Sequence, residues 1–126
     1  PGTTKPNSVC EQPVDLTVLY PTLLELSGLP ADKEADGVSV VPLLRNPKAK
    51  WERPALMTYH RGNHAVRSQR WRYIRYADGS EELYDHESDP NEWSNLADDP
   101  DHKEVIAKHR NWLPKKEASP VPDLKK

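Results

Sequence analysis

The apolar positions of the chain change their spacing as it proceeds, and each spacing predicts a different element. From Asp15 onward Leu16, Leu19, Leu23, Leu24 and Leu26 recur at helical intervals, and Gly28 and Pro30 supply a stop. Pro21 falls inside this run, so the regular helix is expected to begin near Tyr20, with Pro21 in its first turn where a missing N–H costs nothing. Ala31 to Gly37 reads as a charged loop. Val40, Val41, Leu43 and Leu44 then form a short apolar cluster of one or two helical turns, closed by Asn46-Pro47. Beyond it the period shortens to two. Pro54 to Tyr59, Ala65 to Ser68 and Trp71 to Ala77 predict strands, and in the last of these Trp71, Tyr73 and Arg75 fall on one face while Arg72, Ile74 and Tyr76 fall on the other. Asp78-Gly79 predicts a hairpin turn, because glycine tolerates positive φ, and Glu81 to Asp85 predicts the returning strand. Glu92 to Leu96 reads as a single helical turn. Asp99 or Asp101 can cap a last helix through about Trp112, with Val105, His109 and Trp112 on one stripe flanked by Ile106 and Leu113, and Pro114 ends it.

These elements sum to an α+β fold, a small antiparallel sheet of three to four strands with two main helices. Residues 1–13 read as an extended leading loop, 14–113 as one subdomain, and the charged, proline-bearing 114–126 as a disordered tail. Composition adds a constraint: of 126 residues only 35% are hydrophobic, and 13 are proline against 5 glycine. So polar a chain buries a modest core, which predicts that it packs against something outside this sequence. The start at Pro1-Gly2 in place of methionine predicts a fragment or processed product. A net charge of −2 argues against nucleic-acid and membrane partners, and the single Cys10 excludes an internal disulfide.

Charge is segregated along the strands. Pro54 to Ala77 carries Arg61, Arg67, Arg70, Arg72 and Arg75 with no acid, whereas Asp78 to Asp101 carries ten acids with no Lys or Arg. Two readings follow. The arginines line a groove for a sulfate, phosphate or carboxylate, which guanidinium binds through two N–H groups; or the hairpin sets them beside the acidic strand as cross-strand pairs. For Arg70, Arg72 and Arg75 pairing is the favoured reading. For His60, Asn63, His64 and Arg67 both stand, because a loop beside a strand end is where ligand-facing residues sit. His60 and His64 are four apart, a metal-ligand spacing on a helix, but Gly62 and the strand pattern oppose a helix. His86 beside Asp85 and Asp89 is read as part of a solvated turn, and no metal site is expected. The tryptophans and tyrosines are read as strand formers, with Trp51, Trp93 and Trp112 plugging the ends of the sheet. No phosphate-cradling glycine loop and no nucleophile elbow is present, so the residues alone assign no catalytic group.

Four ordered blocks carry a resemblance. Val14-Asp15-Leu16-Thr17-Val18-Leu19-Tyr20-Pro21-Thr22-Leu23-Leu24-Glu25-Leu26-Ser27-Gly28-Leu29-Pro30 is followed by Gly37-Val38-Ser39-Val40-Val41-Pro42-Leu43-Leu44, then by His64 to Tyr76, then by Glu82-Leu83-Tyr84-Asp85 through Leu96. Together they resemble the C-terminal part of sulfatases of the alkaline-phosphatase type, in particular the iduronate-2-sulfatase-like enzymes of bacteria. The resemblance implies the C-terminal subdomain of an α/β sulfatase. It implies a parent enzyme, periplasmic or secreted, that hydrolyses sulfated sugars such as iduronate 2-sulfate with a calcium ion and a formylglycine made from a Cys/Ser-x-Pro-x-Arg motif. Cys10 is followed by Glu11, Gln12 and Pro13 with no arginine, so it is not that nucleophile, and no catalytic residue, metal ligand or cofactor is carried over to this chain. What the resemblance does imply here is contact with substrate along the loop His60 to Arg67. The expected partners are the N-terminal catalytic domain of the same protein and its sulfated carbohydrate, with self-association through an exposed domain face. The alternative is a free-standing polyanion-binding module built on the Arg-rich strand.

Overall fold

The computed structural model describes residues 2–119. The chain divides between Arg53 and Pro54 into two compact units, a split that falls inside the 14–113 stretch.

In the first unit the Asp15 carboxylate accepts the Thr17 N–H at 3.0 Å and so caps a 3-10 turn, Leu16–Val18, that runs into α1, Leu19–Leu26. Pro21 is the third residue of α1, where its ring fits and no backbone donor is missed. The helix ends as its glycine predicts. Gly28 takes φ +68°, its N–H reaches Glu25 O at 3.1 Å, and the Leu29 N–H reaches Leu24 O at 3.0 Å, which satisfies two of the last open carbonyls. The inward face is not the leucine stripe. Val18 and Thr22 are buried against the short α2, Val41–Arg45, whose Val41 and Leu43 complete this small core, and Thr22 Oγ1 accepts the Val40 N–H at 3.0 Å. Leu16, Leu19, Tyr20, Leu23 and Leu26 point outward, 48–82% exposed. Gly37 is required by a close approach: a Cβ there would lie 1.9 Å from the Thr17 carbonyl oxygen.

The second unit is a four-stranded antiparallel meander, β1 Ala55–Thr58, β2 His64–Arg67, β3 Trp71–Arg75 and β4 Glu81–Asp85, in consecutive order. Alternation selects one face. Val66, Tyr73 and Leu83 lie opposite one another across three strands, all fully buried, and Ile106 of α3, Lys103–Arg110, closes over them. Burial and the hydrogen bond to Glu81 push the Tyr73 phenol up to about 12. At the β3–β4 turn only Gly79 has positive φ (+89°), and Tyr76 O accepts the Gly79 N–H at 3.0 Å, so Asp78-Gly79 forms the end of a type I turn with a glycine bulge. The outer edge of β4 is closed by Asn95 and Leu96. Asn95 Oδ1 accepts the Leu83 N–H at 3.0 Å, its Nδ2 donates to Glu81 O at 3.2 Å, and the Leu96 N–H donates to Leu83 O at 2.8 Å.

Three expectations are corrected. Glu92 to Leu96 forms no helical turn, because Glu92 takes φ +58° and the segment is committed to the β4 edge. Trp93 is 84% exposed and Trp112 about half exposed, so neither plugs the sheet. On α3, which follows a 3-10 turn capped by Asp99, the buried pair is Ile106 and His109.

Candidate functional site

The β1–β2 hairpin brings most of the candidate residues to one end of the sheet. Tyr59 N–H donates to Asn63 O at 3.0 Å, which closes a loop in which His60 takes φ +56° and Gly62 φ +83°. A Cβ on Gly62 would meet Ala77 at 3.0 Å, so both conformation and space demand glycine there. Asn63 Oδ1 accepts the Ala77 N–H at 3.2 Å and ties this loop to the β3–β4 turn. The exposed His60 ring packs edge-on against Tyr59, 4.3 Å between centroids.

His64 is buried, and both its ring nitrogens are used. Nε2 lies 2.7 Å from Glu117 Oε1 and Nδ1 2.9 Å from Thr58 Oγ1. A carboxylate only accepts, so Nε2 carries the proton, and in the neutral ring Nδ1 accepts from the Thr58 hydroxyl. Glu117 Oε2 also accepts the Gly62 N–H at 3.1 Å. The hydrogen bond from His64 holds the Glu117 carboxyl below its ordinary value, against an opposing effect of burial and with help from Gly62 and the charge of Arg61. Glu117 had no signal in the sequence: it lies 53 positions from His64 in a stretch without periodicity, read as part of a disordered tail. The segment through 119 returns to the sheet, and 120–126 lie outside the described residues.

Arg67 goes elsewhere. Three residues along β2 from His64, it projects from the opposite face, where its guanidinium donates to the carbonyls of Ser68, Gln69 (3.0 Å) and Trp71 (3.4 Å). The same group meets His86 Nδ1 at 3.0 Å; His86 Nε2 reaches Glu92 Oε1 at 2.7 Å, and Arg72 Nη1 donates to Glu92 Oε2 at 2.7 Å. Burial alone would raise the Glu92 carboxyl, but the hydrogen bonds from Arg72 and His86 outweigh it and hold it low. The structure therefore groups His60, Asn63 and His64, and places Arg67 in a second, internally satisfied cluster.

The remaining arginines follow the pairing reading in part. Arg70 grips Asp85 through two parallel N–H···O bonds of 2.8 and 2.7 Å, lies 3.1 Å from Glu87, and rests over the Trp71 ring. Arg72 finds its acid on the loop after β4, since its cross-strand neighbour is Tyr84. Arg75 stands opposite Glu81, but Glu81 is claimed by Arg110 and Tyr73. Arg67, Arg70 and Arg72, already closed on internal acids and carbonyls, leave little for an external polymer of charge. Between Tyr59 and Tyr76 the open sheet face has a hollow of about 450 Å³, floored by Met57, Ala65 and Ile74 with Arg72 at its side.

Among the described residues no three of His, Cys, Asp and Glu converge as a cation would need. Cys10 is exposed and free, and no Cys/Ser-x-Pro-x-Arg run occurs; Ser88-Asp89-Pro90-Asn91-Glu92 has the first spacing but an acid where arginine is required.

The sequence profile described as N-sulphoglucosamine sulphohydrolase, C-terminal, matches residues 1–119. The chain belongs to this sulfatase C-terminal family. Its similarity extends to a sulfatase of Formosa agariphila, 42% identical over 109 residues, covering 86% of this chain and 22% of that protein. A delta 4,5-hexuronate-2-O-sulfatase of Bacteroides thetaiotaomicron is 37% identical over 104 residues, covering 75% and 22%. A solved structure described as a 2-O GAG sulfatase superposes with TM-score 0.58 at 36% identity, over 74% of this chain and 22% of the other. This member of the sulfatase C-terminal family thus spans about a fifth of the length of those curated relatives, and its α+β fold is shared with the superposed part of the solved sulfatase structure.

Proposed function

We propose that this chain is the C-terminal part of a sulfuric ester hydrolase acting on sulfated sugars, with 2-O-sulfated hexuronates such as iduronate 2-sulfate as the substrate class. The observation that carries the reading is the ordered match over residues 1–119 to sulfatase C-terminal sequences, one of them named for a hexuronate 2-O-sulfate. In this reading the chain has no catalytic group. The nucleophile, the calcium ion and the chemistry they supply reside in an N-terminal catalytic domain of the same longer protein. The chain contributes packing surface and, through the loop His60 to His64, contacts at the edge of the substrate cleft. Arg67, on the other face and bound to three carbonyls, serves this loop's strand and is the weakest of the four candidates.

The experiment is direct. The 126-residue chain is incubated with an aryl sulfate and calcium, and separately with the longer protein's catalytic domain. No turnover by the chain alone, and turnover restored by the pair, is the expected result. Sulfate release by the chain alone would sink the proposal.

A further inference from the structure

The Glu117 carboxylate occupies a site that looks built for an anion from outside. Two donors converge on its two oxygens, the Gly62 N–H on one and His64 Nε2 on the other, at 3.1 and 2.7 Å. Neither donor is incidental. The Gly62 backbone conformation and its close approach to Ala77 strongly favour glycine, and His64 is buried with its second nitrogen fixed on Thr58. Beside them a hollow of about 250 Å³ is lined by Gly62, His64, Arg75, Tyr76, Ala77 and Glu117. The exposed Arg75 borders it, and Arg61 acts electrostatically on the Glu117 carboxyl. An imidazole N–H and a backbone N–H therefore hold the Glu117 carboxylate and Arg61 acts on it through space, while Arg75, which also acts on Glu81 across the ladder, borders the hollow beside it.

We propose that Gly62 and His64 form an oxyanion-binding cradle for a sulfate or carboxylate group, with Arg75 as its counter-charge, and that Glu117 is a built-in occupant which an incoming anion displaces. Glu117 suits this role. Its side chain is about a quarter exposed, and it hangs on a stretch after α3 that has no regular secondary structure. A tethered group on so short a lead competes at an effective concentration of about millimolar, so an external anion in that range can replace it. That the natural anion belongs to an acidic sugar rests on the sulfatase reading above; the cradle itself does not.

The test uses the full chain, labelled for NMR and titrated with sodium sulfate against sodium chloride of matched ionic strength. Sulfate is expected to shift the Gly62 amide and the His64 ring signals saturably, where chloride does not. Glu117→Gln should tighten sulfate by about tenfold, the size of effect that one charge-assisted hydrogen bond exerts. Arg75→Gln should weaken it in either background. Equal shifts with sulfate and chloride, or unchanged affinity in Glu117→Gln, overturn the proposal. If Glu117→Gln loses the dispersed signals of Val66 and Leu83, Arg75→Gln in the otherwise native chain decides: unchanged sulfate affinity there also overturns it. No turnover enters this readout, so the cradle and the sulfatase reading can fail independently.

Discussion

Asp85 gathers four hydrogen bonds on its carboxylate. It ends β4, receives both N–H groups of the Arg70 fork, and accepts from the Ser88 hydroxyl and the Glu87 N–H. The Arg70 bonds lead in holding its carboxyl down at about 2, against an opposing effect of burial. A carboxyl lowered on folding contributes stability above its unfolded value near 3.8 and loses it as pH falls toward the folded value. With Arg70 46% exposed, solvent screening trims the contribution to about 1–2 kcal/mol. Asp85→Asn should cost that much in urea unfolding at neutral pH, and the gap from wild type should close between about pH 4 and pH 2. His109 titrates with the opposite chemistry. Burial pushes its imidazole down, so the folded ring stays neutral where the unfolded one, near 6.5, takes a proton. The fold therefore loses stability as pH falls through about 6.5, and His109→Gln should flatten urea midpoints measured from about pH 7 to about 5.5. Sequence reading placed His109 on the inner stripe correctly. The Nδ1 bond to the Val105 carbonyl is local, one turn back in the same helix, but the sequence could not show that Nε2 meets Ser68, because that partner depends on tertiary approach.

At the scale of elements, what was legible was whatever a local pattern dictates. The strands Trp71–Arg75 and Glu81–Asp85 follow from alternation, the α1 stop from Gly28, and the hairpin from Asp78-Gly79. What was not legible is closure between segments without period. Asn95 reads in the sequence as part of a helical turn, yet three hydrogen bonds of its side chain seal the edge of β4 and turn the following chain. Asn95→Ala leaves the Leu83 N–H and Glu81 carbonyl to water and should destabilise the second unit by about 1–3 kcal/mol. Hydrogen exchange would show it as faster exchange at Leu83 ahead of any change at Val66; equal acceleration throughout would mean that the edge is not a local element. The candidate site divides the same way. Asn63 and His64 were candidates from the loop signal, while Glu117 and Thr58, which fix the ring, came only with the fold.

For the whole molecule, the outward leucines of α1 are the feature that composition anticipated. A low apolar fraction predicted a chain that leans on something else, and Leu16, Leu19, Leu23 and Leu26 are the exposed apolar side chains on which that expectation can be tested. Replacing exposed leucines removes few internal contacts, so Leu19→Lys with Leu23→Lys should lower self-association in sedimentation velocity while shifting the unfolding midpoint little, within about 0.5 kcal/mol. A large loss of stability would mean that this face is already packed. The first unit, with four residues at its buried centre, and the second, with a sheet and α3, were drawn as one domain from sequence because the block match runs through both. The consecutive order of the four strands carries one more consequence. Each strand pairs with its neighbour along the chain, so no strand of the sheet waits for a distant strand before its ladder forms. The meander should therefore assemble quickly for a sheet, on the order of milliseconds in stopped-flow refolding. The far-reaching tie of Glu117 to Gly62 and His64 should form after the sheet, so that Glu117→Gln speeds unfolding and leaves the refolding rate unchanged.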